Sequence, residues 1–334
     1  MKQHFPCSGQ ESLVSVLIPA FNPKYFEECL KSAVSQSYGF LEILVSDDSP
    51  GQEVALIVSR YAVSDCRIKY FRNAQRLGSR ENYIRLFSLS SGKYIKFLND
   101  DDLLHPDCVR RMVKCLQQEP CTALVTSHRQ VIDKYGNALP DITATRRPVQ
   151  EDSILDGLSV ANAVLERKIN FIGEPSTTMF RKEDLVSIRP DLLSFAGRKV
   201  LWNCDVVMWL NLLIQGHLMY LTDTLSYFRY HEEQEQQQPV AWQIGMAAWE
   251  QLREDGFRIG LLKEDHLPVD DFVQLAKSPG LFTRKRDEKI VHITLDMIDD
   301  NLLKHQQSNS QIARINIRRH NAFQLRVKDG GGIV

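Results

Sequence analysis

The turn after the first apolar run, Pro19-Ala20-Phe21-Asn22-Pro23, has no glycine. A dinucleotide fingerprint or a P-loop needs glycines there so that backbone can close on phosphate, so dehydrogenase and NTPase chemistry lose their usual support. Cysteine pairing signals are also missing: Cys7, Cys29, Cys66, Cys108, Cys115, Cys121 and Cys204 are odd in number, with no C-x-x-C and no histidine at zinc-finger spacing. They read as reduced thiols, not as a disulfide framework or a zinc site. Charge of one sign is not in excess, with 41 Lys and Arg against 42 Asp and Glu. No global field therefore favours nucleic acid or an acidic membrane. No apolar run approaches the roughly eighteen residues of a membrane span. The opening MKQHFPCSGQES has no signal-like apolar core. A soluble cytoplasmic protein is expected, with peripheral attachment at the inner membrane face as the alternative.

What is present is material for a large core: 334 residues, 43% of them hydrophobic. Leu13 to Ile18 is a nearly continuous apolar run, as in a buried parallel strand, and Pro19 is expected to end it. Phe26, Cys29, Leu30, Ala33 and Val34 follow at helical spacing, and Leu41 to Val45 predicts a second strand. Val54 to Tyr61 predicts a helix, Arg67 to Phe71 a strand, and Ser79 a cap for a helix carrying Tyr83, Ile84 and Phe87. Lys93 to Leu98 predicts a fourth strand, followed by a helix through Val109, Met112, Val113 and Leu116 and a strand at Ala123 to Thr126. This alternation argues for a doubly wound α/β layer. Further on, Phe171 to Phe180 reads as loop then strand, and Asp205 to Ile214 as a helix too apolar to face solvent. Strands are expected at Leu218 to Leu221 and at Tyr227 to His231. The polar stretch Glu232 to Pro239 reads as a linker or mobile loop. After it, Trp242, Met246, Trp249 and Leu252, and then Ile290, Ile293, Met297, Ile298 and Leu302, suggest helices. The last segment is basic (Arg314, Arg318, Arg319, Arg326, Lys328): a solvated face, or a surface for an acidic membrane or a protein partner.

Chemistry gathers where strands end. In KYIKFLNDDDLLHP an apolar strand stops at Asp100, Asp101 and Asp102, on the edge where open α/β sheets bind ligands. Three adjacent anions suit Mg²⁺ or Mn²⁺ bridging to phosphate, or form a solvated turn capping the next helix. In an extended segment Asp100 and Asp102 face one way and Asp101 the other, and spacing does not say which of them ligate. Asp48 can accept the ring N–H of a uracil or thymine, or close an Asx-turn. Asp205 opens the apolar helix, either as its cap or as a base taking a proton from an acceptor hydroxyl. In YFRYH, His231 can be structural or ligate a divalent ion, and Arg229 can meet a diphosphate.

These segments together resemble a family 2 glycosyltransferase of GT-A fold. VSVLIPAFN, ILVSDDSP, GKYIKFLNDDDLLHPD, IGEPSTTMFRKEDL, and CDVVMWLNLLIQGH through YFRYH occur in the family's order over Leu13 to His231. The resemblance implies a Rossmann-like mixed sheet flanked by helices, with a C-terminal helical extension. It implies a nucleotide-sugar-binding half at 1–127, an acceptor-side half at 128–231, a linker at 232–240 and a helical region at 241–334. It places Pro19, Phe21 and Asp48 at the nucleotide base, and Asp100, Arg229 and His231 near the diphosphate. Asp101, at the last position of the DXD-type motif, is the leading metal ligand, with Asp100, Asp102 and His231 beside it. Asp205 falls where the family keeps its base. Asn99 and Cys204 depart from acidic positions of the pattern. The implied reaction is metal-dependent transfer, with inversion, from a UDP- or dTDP-sugar to a hydroxyl of a saccharide, glycolipid or glycoprotein, in polysaccharide assembly. A non-catalytic sugar- or protein-binding module and a nucleotidyltransferase are the competing readings.

Overall fold

The computed structural model describes residues 11–234 and 240–262, and the backbone of strands at 271–276 and 291–294. The first part alternates β1 (Val14–Ala20), α1 (Pro23–Val34), β2 (Leu41–Asp47), α2 (Glu53–Ala62), β3 (Ile68–Arg72), α3 (Ser79–Leu89) and β4 (Tyr94–Phe97). Then come β5 (Leu103–Leu104), α4 (Cys108–Gln118), β6 (Thr122–Ile132), β7 (Ser153–Leu155), α5 (Gly157–Arg167) and β8 (Met179–Arg181). A short α6 (Glu183–Val186), the hairpin β9 (Ser194–Phe195) and β10 (Arg198–Lys199), α7 (Cys204–Leu213) and β11 (His217–Arg229) follow. The described chain closes with α8 (Ala241–Arg258), β12 (Asp271–Ala276) and β13 (Val291–Thr294).

One sheet runs through the molecule in the order β13-β12-β7-β11-β6-β8-β4-β1-β2-β3, with β5 beside β11. The strands β4, β1, β2 and β3 are parallel, β8 runs antiparallel between β4 and β6, and β6 and β11 are parallel again. This is the mixed α/β sheet that the sequence predicts. Side chains alternate across it, so Leu17, Leu44 and Phe97 enter the core on one face while Val16, Ile18 and Val45 enter the core on the other.

Local chemistry sets the boundaries. Asn22 caps α1 by accepting the Lys24 N–H at 3.0 Å, and Pro23 takes the first helical position, where no N–H is needed. Pro19 does not end β1 as expected. Leu17 pairs with the last residue of β4, Phe97, so the N–H that Pro19 lacks would face an edge where the ladder has already stopped. Ser79 is not the cap of α3: Gly78 is, with φ of 83°, a left-handed conformation open to glycine.

The helix α7 meets expectation, with Val206 to Leu213 buried and Trp209 at 0% exposure. The two strands expected at Leu218 to Leu221 and Tyr227 to His231 are one strand, β11, whose register against β6 slips between Leu221 and Ser226. The helix expected from Ile290 is contradicted at its start, where Val291–Thr294 pairs antiparallel with Asp271–Ala276. Val-His-Ile-Thr is β-branched and fits period two as well as the helical period. Met297, Ile298, Leu302, the basic tail, Cys7 and most of the expected linker lie outside the described residues.

Candidate active site

The carboxyl ends of β1, β2 and β4 bring the expected donor residues together. The main-chain N–H of Asp48 donates to Ala20 O at 2.8 Å, joining the ends of β1 and β2. Phe21 is 42% exposed there, and the Arg76 guanidinium lies 4.3 Å from its ring centre. Pro19 is half-buried just before it. Asp48 is committed more heavily than the sequence suggests: it accepts from Asn73 Nδ2 at 3.0 Å, Leu77 N at 2.8 Å and Gly78 N at 2.8 Å. A carboxylate has about four acceptor positions, so one remains for a ligand. Asp48 thus builds the 73–78 loop.

The three carboxylates diverge, because the Asp102 N–H turns back to Asn99 O at 3.2 Å and the segment is not extended. Asp100 Oδ2 accepts from Phe21 N at 2.6 Å and Asn22 N at 2.8 Å, pinning the turn that opens α1. Burial, with the charge of Asp101 next, pushes its carboxyl up to about 7 against those two hydrogen bonds. Asp101 Oδ2 meets His231 Nε2 at 3.1 Å and accepts from Gln234 Nε2 at 3.3 Å. Asp102 is fully buried: it accepts from Ser176 Oγ at 2.6 Å and from Arg229 N at 3.0 Å. Burial holds its carboxyl well above the ordinary range. Its surroundings are those of a structural strut, and the expectation that it reaches a metal is corrected on that ground.

Arg229 is also turned inward. At 1% exposure it donates from Nε to Asp101 O at 2.9 Å and from Nη2 to Glu28 at 2.7 Å, and it stacks 4.5 Å from the Tyr25 ring centre. It fixes the backbone beneath Asp101 rather than presenting a guanidinium to a diphosphate. After it the chain folds over the site, where Glu233 clasps Asn22 at 3.0 Å and Lys24 at 2.9 Å.

Among the described residues no three His, Cys, Asp or Glu side chains converge as a metal cage. Two donors do meet. Asp101 Oδ2 and His231 Nε2 lie 3.1 Å apart, in hydrogen-bond contact. The other ring nitrogen, Nδ1, is buried without a hydrogen-bond partner. Asp101 supplies the hard oxygen that Mg²⁺ or Mn²⁺ prefers, and His231 would add a nitrogen that Mn²⁺ accepts more readily than Mg²⁺, so the pair would hold Mn²⁺ in preference.

Asp205 opens α7, part-exposed. Its Oδ1 accepts from Val206 N at 2.8 Å and its Oδ2 from Asn170 Nδ2 at 2.7 Å. Burial, with the charge of Glu174, pushes the carboxyl up to about 6 despite these bonds. Tyr83, which donates to Asn99, lies within electrostatic reach of Asp101, Asp102 and Asp205, so the two ends of the site face one buried phenol. Asn99, where the resemblance leads one to expect Asp, offers an amide to Asp102 Oδ2 at 3.4 Å. A second carboxylate there would repel it.

Sequence reasoning missed Arg76, Asn170, Ser176 and Arg129. The buried Arg129 grips the 170–174 loop through Asn170 O at 3.2 Å and pairs with Glu174 at 2.6 Å. No local pattern marks these residues, whose partners lie tens of residues away.

The chain matches Glycosyl transferase family 2 over residues 15–188, just over half its length. It is 37% identical over 93 residues to the GalNAc(5)-diNAcBac-PP-undecaprenol beta-1,3-glucosyltransferase of Campylobacter jejuni, covering 27% of this chain and 30% of that one. It spans less than half the length of most of the curated relatives it matches. In structure it is similar to S. aureus TarS 1–349 in complex with UDP, with a TM-score of 0.54 and 17% identity over 76% of this chain and 67% of that one. It is similar too to the mannosyltransferase PcManGT of Pyrobaculum calidifontis in complex with GDP-Man and Mn²⁺, at 0.50 and 16% over 76% and 66%. These two likenesses show a GT-A-type fold. With the family match running over just over half the chain and across the first four of the five motif blocks, the chain belongs to glycosyl transferase family 2.

Proposed function

We propose that the protein is a metal-dependent inverting glycosyltransferase that moves a sugar from a nucleoside diphosphate to an acceptor hydroxyl, with Asp205 as general base. In this reading 1–127 bind the donor and 128–231 carry the acceptor side. The observation that carries it is the meeting of Asp101 with His231, 130 residues apart in sequence, at the strand ends where Phe21 and Asp48 stand.

The Phe21 ring, 42% exposed and covered on one face by Arg76, would stack a base on its other face, and Asp48 has an acceptor position for a ring N–H, which favours uracil or thymine. Asp101 and His231 would hold Mn²⁺ or Mg²⁺, which supplies positive charge to the diphosphate as it leaves. Asp205 has one hydrogen bond on each oxygen, leaving a lone pair to take the proton of the incoming hydroxyl. Attack from the face opposite the leaving group inverts the anomeric centre in one displacement. The named relative and neighbours support a nucleotide-sugar donor and a saccharide or glycolipid acceptor.

The test is a thermal-shift panel of UDP-, dTDP- and GDP-sugars with and without Mn²⁺. A rise in Tm with a uridine or thymidine donor, dependent on Mn²⁺, is expected. No stabilisation by any donor would remove the reading.

A further inference from the structure

Resting on the reading of Asp205 as the base, we propose that Asn170 is its positioning residue, holding Oδ2 so that the remaining lone pairs of the carboxylate face the acceptor hydroxyl. The Asn170 amide is fixed at both ends. Its Oδ1 accepts from Gly173 N at 3.1 Å, and its Nδ2 donates to Gly173 O at 3.1 Å and to Asp205 Oδ2 at 2.7 Å. A flipped amide would set oxygen against carboxylate and nitrogen against N–H, so this orientation alone satisfies every group. The loop carrying it is itself anchored. Arg129 holds Asn170 O at 3.2 Å, and the indole Nε1 of Trp209, one turn along α7 from Asp205, donates to Gly173 O at 2.9 Å. The donor to Asp205 is therefore tied to the same helix as its acceptor.

The other groups facing Asp205 act differently. From the loop, the charge of Glu174 disfavours ionisation, tempered by its ion pair with Arg129. From α3, the Tyr83 phenol lies within electrostatic reach of Asp205, as of Asp101, Asp102 and Cys204, and from α7 itself comes the Val206 N–H. Asn170 is the side chain that donates to the charged form, so it opposes burial and Glu174.

The experiment follows the Asp205 carboxyl ¹³C resonance with pH in the full chain, assigned by its loss in Asp205→Asn. The same proteins are assayed for UDP release from UDP-glucose and UDP-N-acetylglucosamine with Mn²⁺. The wild-type midpoint is expected near 6. Asn170→Ala is expected to raise it by about 1 unit, a tenfold change in proton affinity. Asn170→Asp, which keeps the shape and the bond from Gly173 but opposes a second carboxylate, is expected to raise it further. The acid limb of kcat should follow while KM for the donor holds. An unmoved midpoint in Asn170→Asp or Asn170→Ala, whatever happens to kcat, overturns the proposal; Asn170→Ser replaces the alanine variant if that one does not fold. Undiminished turnover by Asp205→Asn would instead sink the general-base reading, with the titration still judging the contact.

Discussion

Three adjacent aspartates have three fates, and no rule of spacing foretells them. Alternation would pair Asp100 with Asp102, but the turn at Asn99 sends Asp100 to the β1–α1 backbone, Asp101 to His231 and Asp102 into the core. The strand ending and the acidic run were legible; the partners, 74 to 133 residues away, were not. Asp101→Asn is expected to abolish the Mn²⁺-dependent part of donor binding, measured by calorimetry with and without the ion, with little change in Tm. Asp102→Ala should do the reverse first. It strands the Ser176 hydroxyl and the Arg229 N–H, a loss of about 2–3 kcal/mol in urea unfolding. At Asp205 the folded carboxyl, raised to about 6, lies above its unfolded value of about 3.9. Its contribution to stability is thus fullest below the unfolded value and is lost as pH rises through about 6, whereas turnover needs the ionised form and rises over the same range. A kcat profile flat between pH 5 and pH 7 would contradict the assignment.

At the scale of elements the site depends on how one loop meets one helix. The run Phe171 to Phe180 reads as loop then strand, and it is: a 3-10 turn at Pro175–Thr177 leads into β8. The left-handed Gly173, φ 117°, is invisible in that reading, yet an added Cβ would come within 2.8 Å of Thr177 Cβ. Gly173→Ala is expected to cost about 2 kcal/mol of stability and, by moving Asn170, to lower kcat more than it raises KM for the donor. Calorimetric melting and steady-state kinetics check the two parts. Helix α7 was the easiest element to foresee because it is apolar on all sides and buried on all sides. The pattern from Ile290 misled because the β-branched Val291, Ile293 and Thr294 suit a short strand as well, and only the pairing with β12 decides.

For the whole molecule, the alternation of strands and helices from Val14 to Phe97 was legible because parallel strands buried on both faces leave long apolar runs. The later strands were harder: β11 covers 13 residues and slips register midway, so its polar centre reads as a loop. That strand matters most for assembly, since it ends at Arg229, with His231 just beyond, and so returns the chain to Asp101 and Asp102. In the reading proposed above, the sheet thereby brings the residues that would hold the metal and the one that would act as base to one site, although each half of the sequence holds only part of it. No described helix is long and apolar enough to cross a membrane. The most direct measurement is nucleoside diphosphate release from the donor that the thermal-shift panel selects, run with Mn²⁺ or EDTA on wild type, Asp101→Asn and Asp205→Asn. The account predicts release by wild type with Mn²⁺ alone, loss of both binding and release in Asp101→Asn, and intact Mn²⁺-dependent binding without turnover in Asp205→Asn. Equal release by all three proteins, or release undiminished by EDTA, would contradict it.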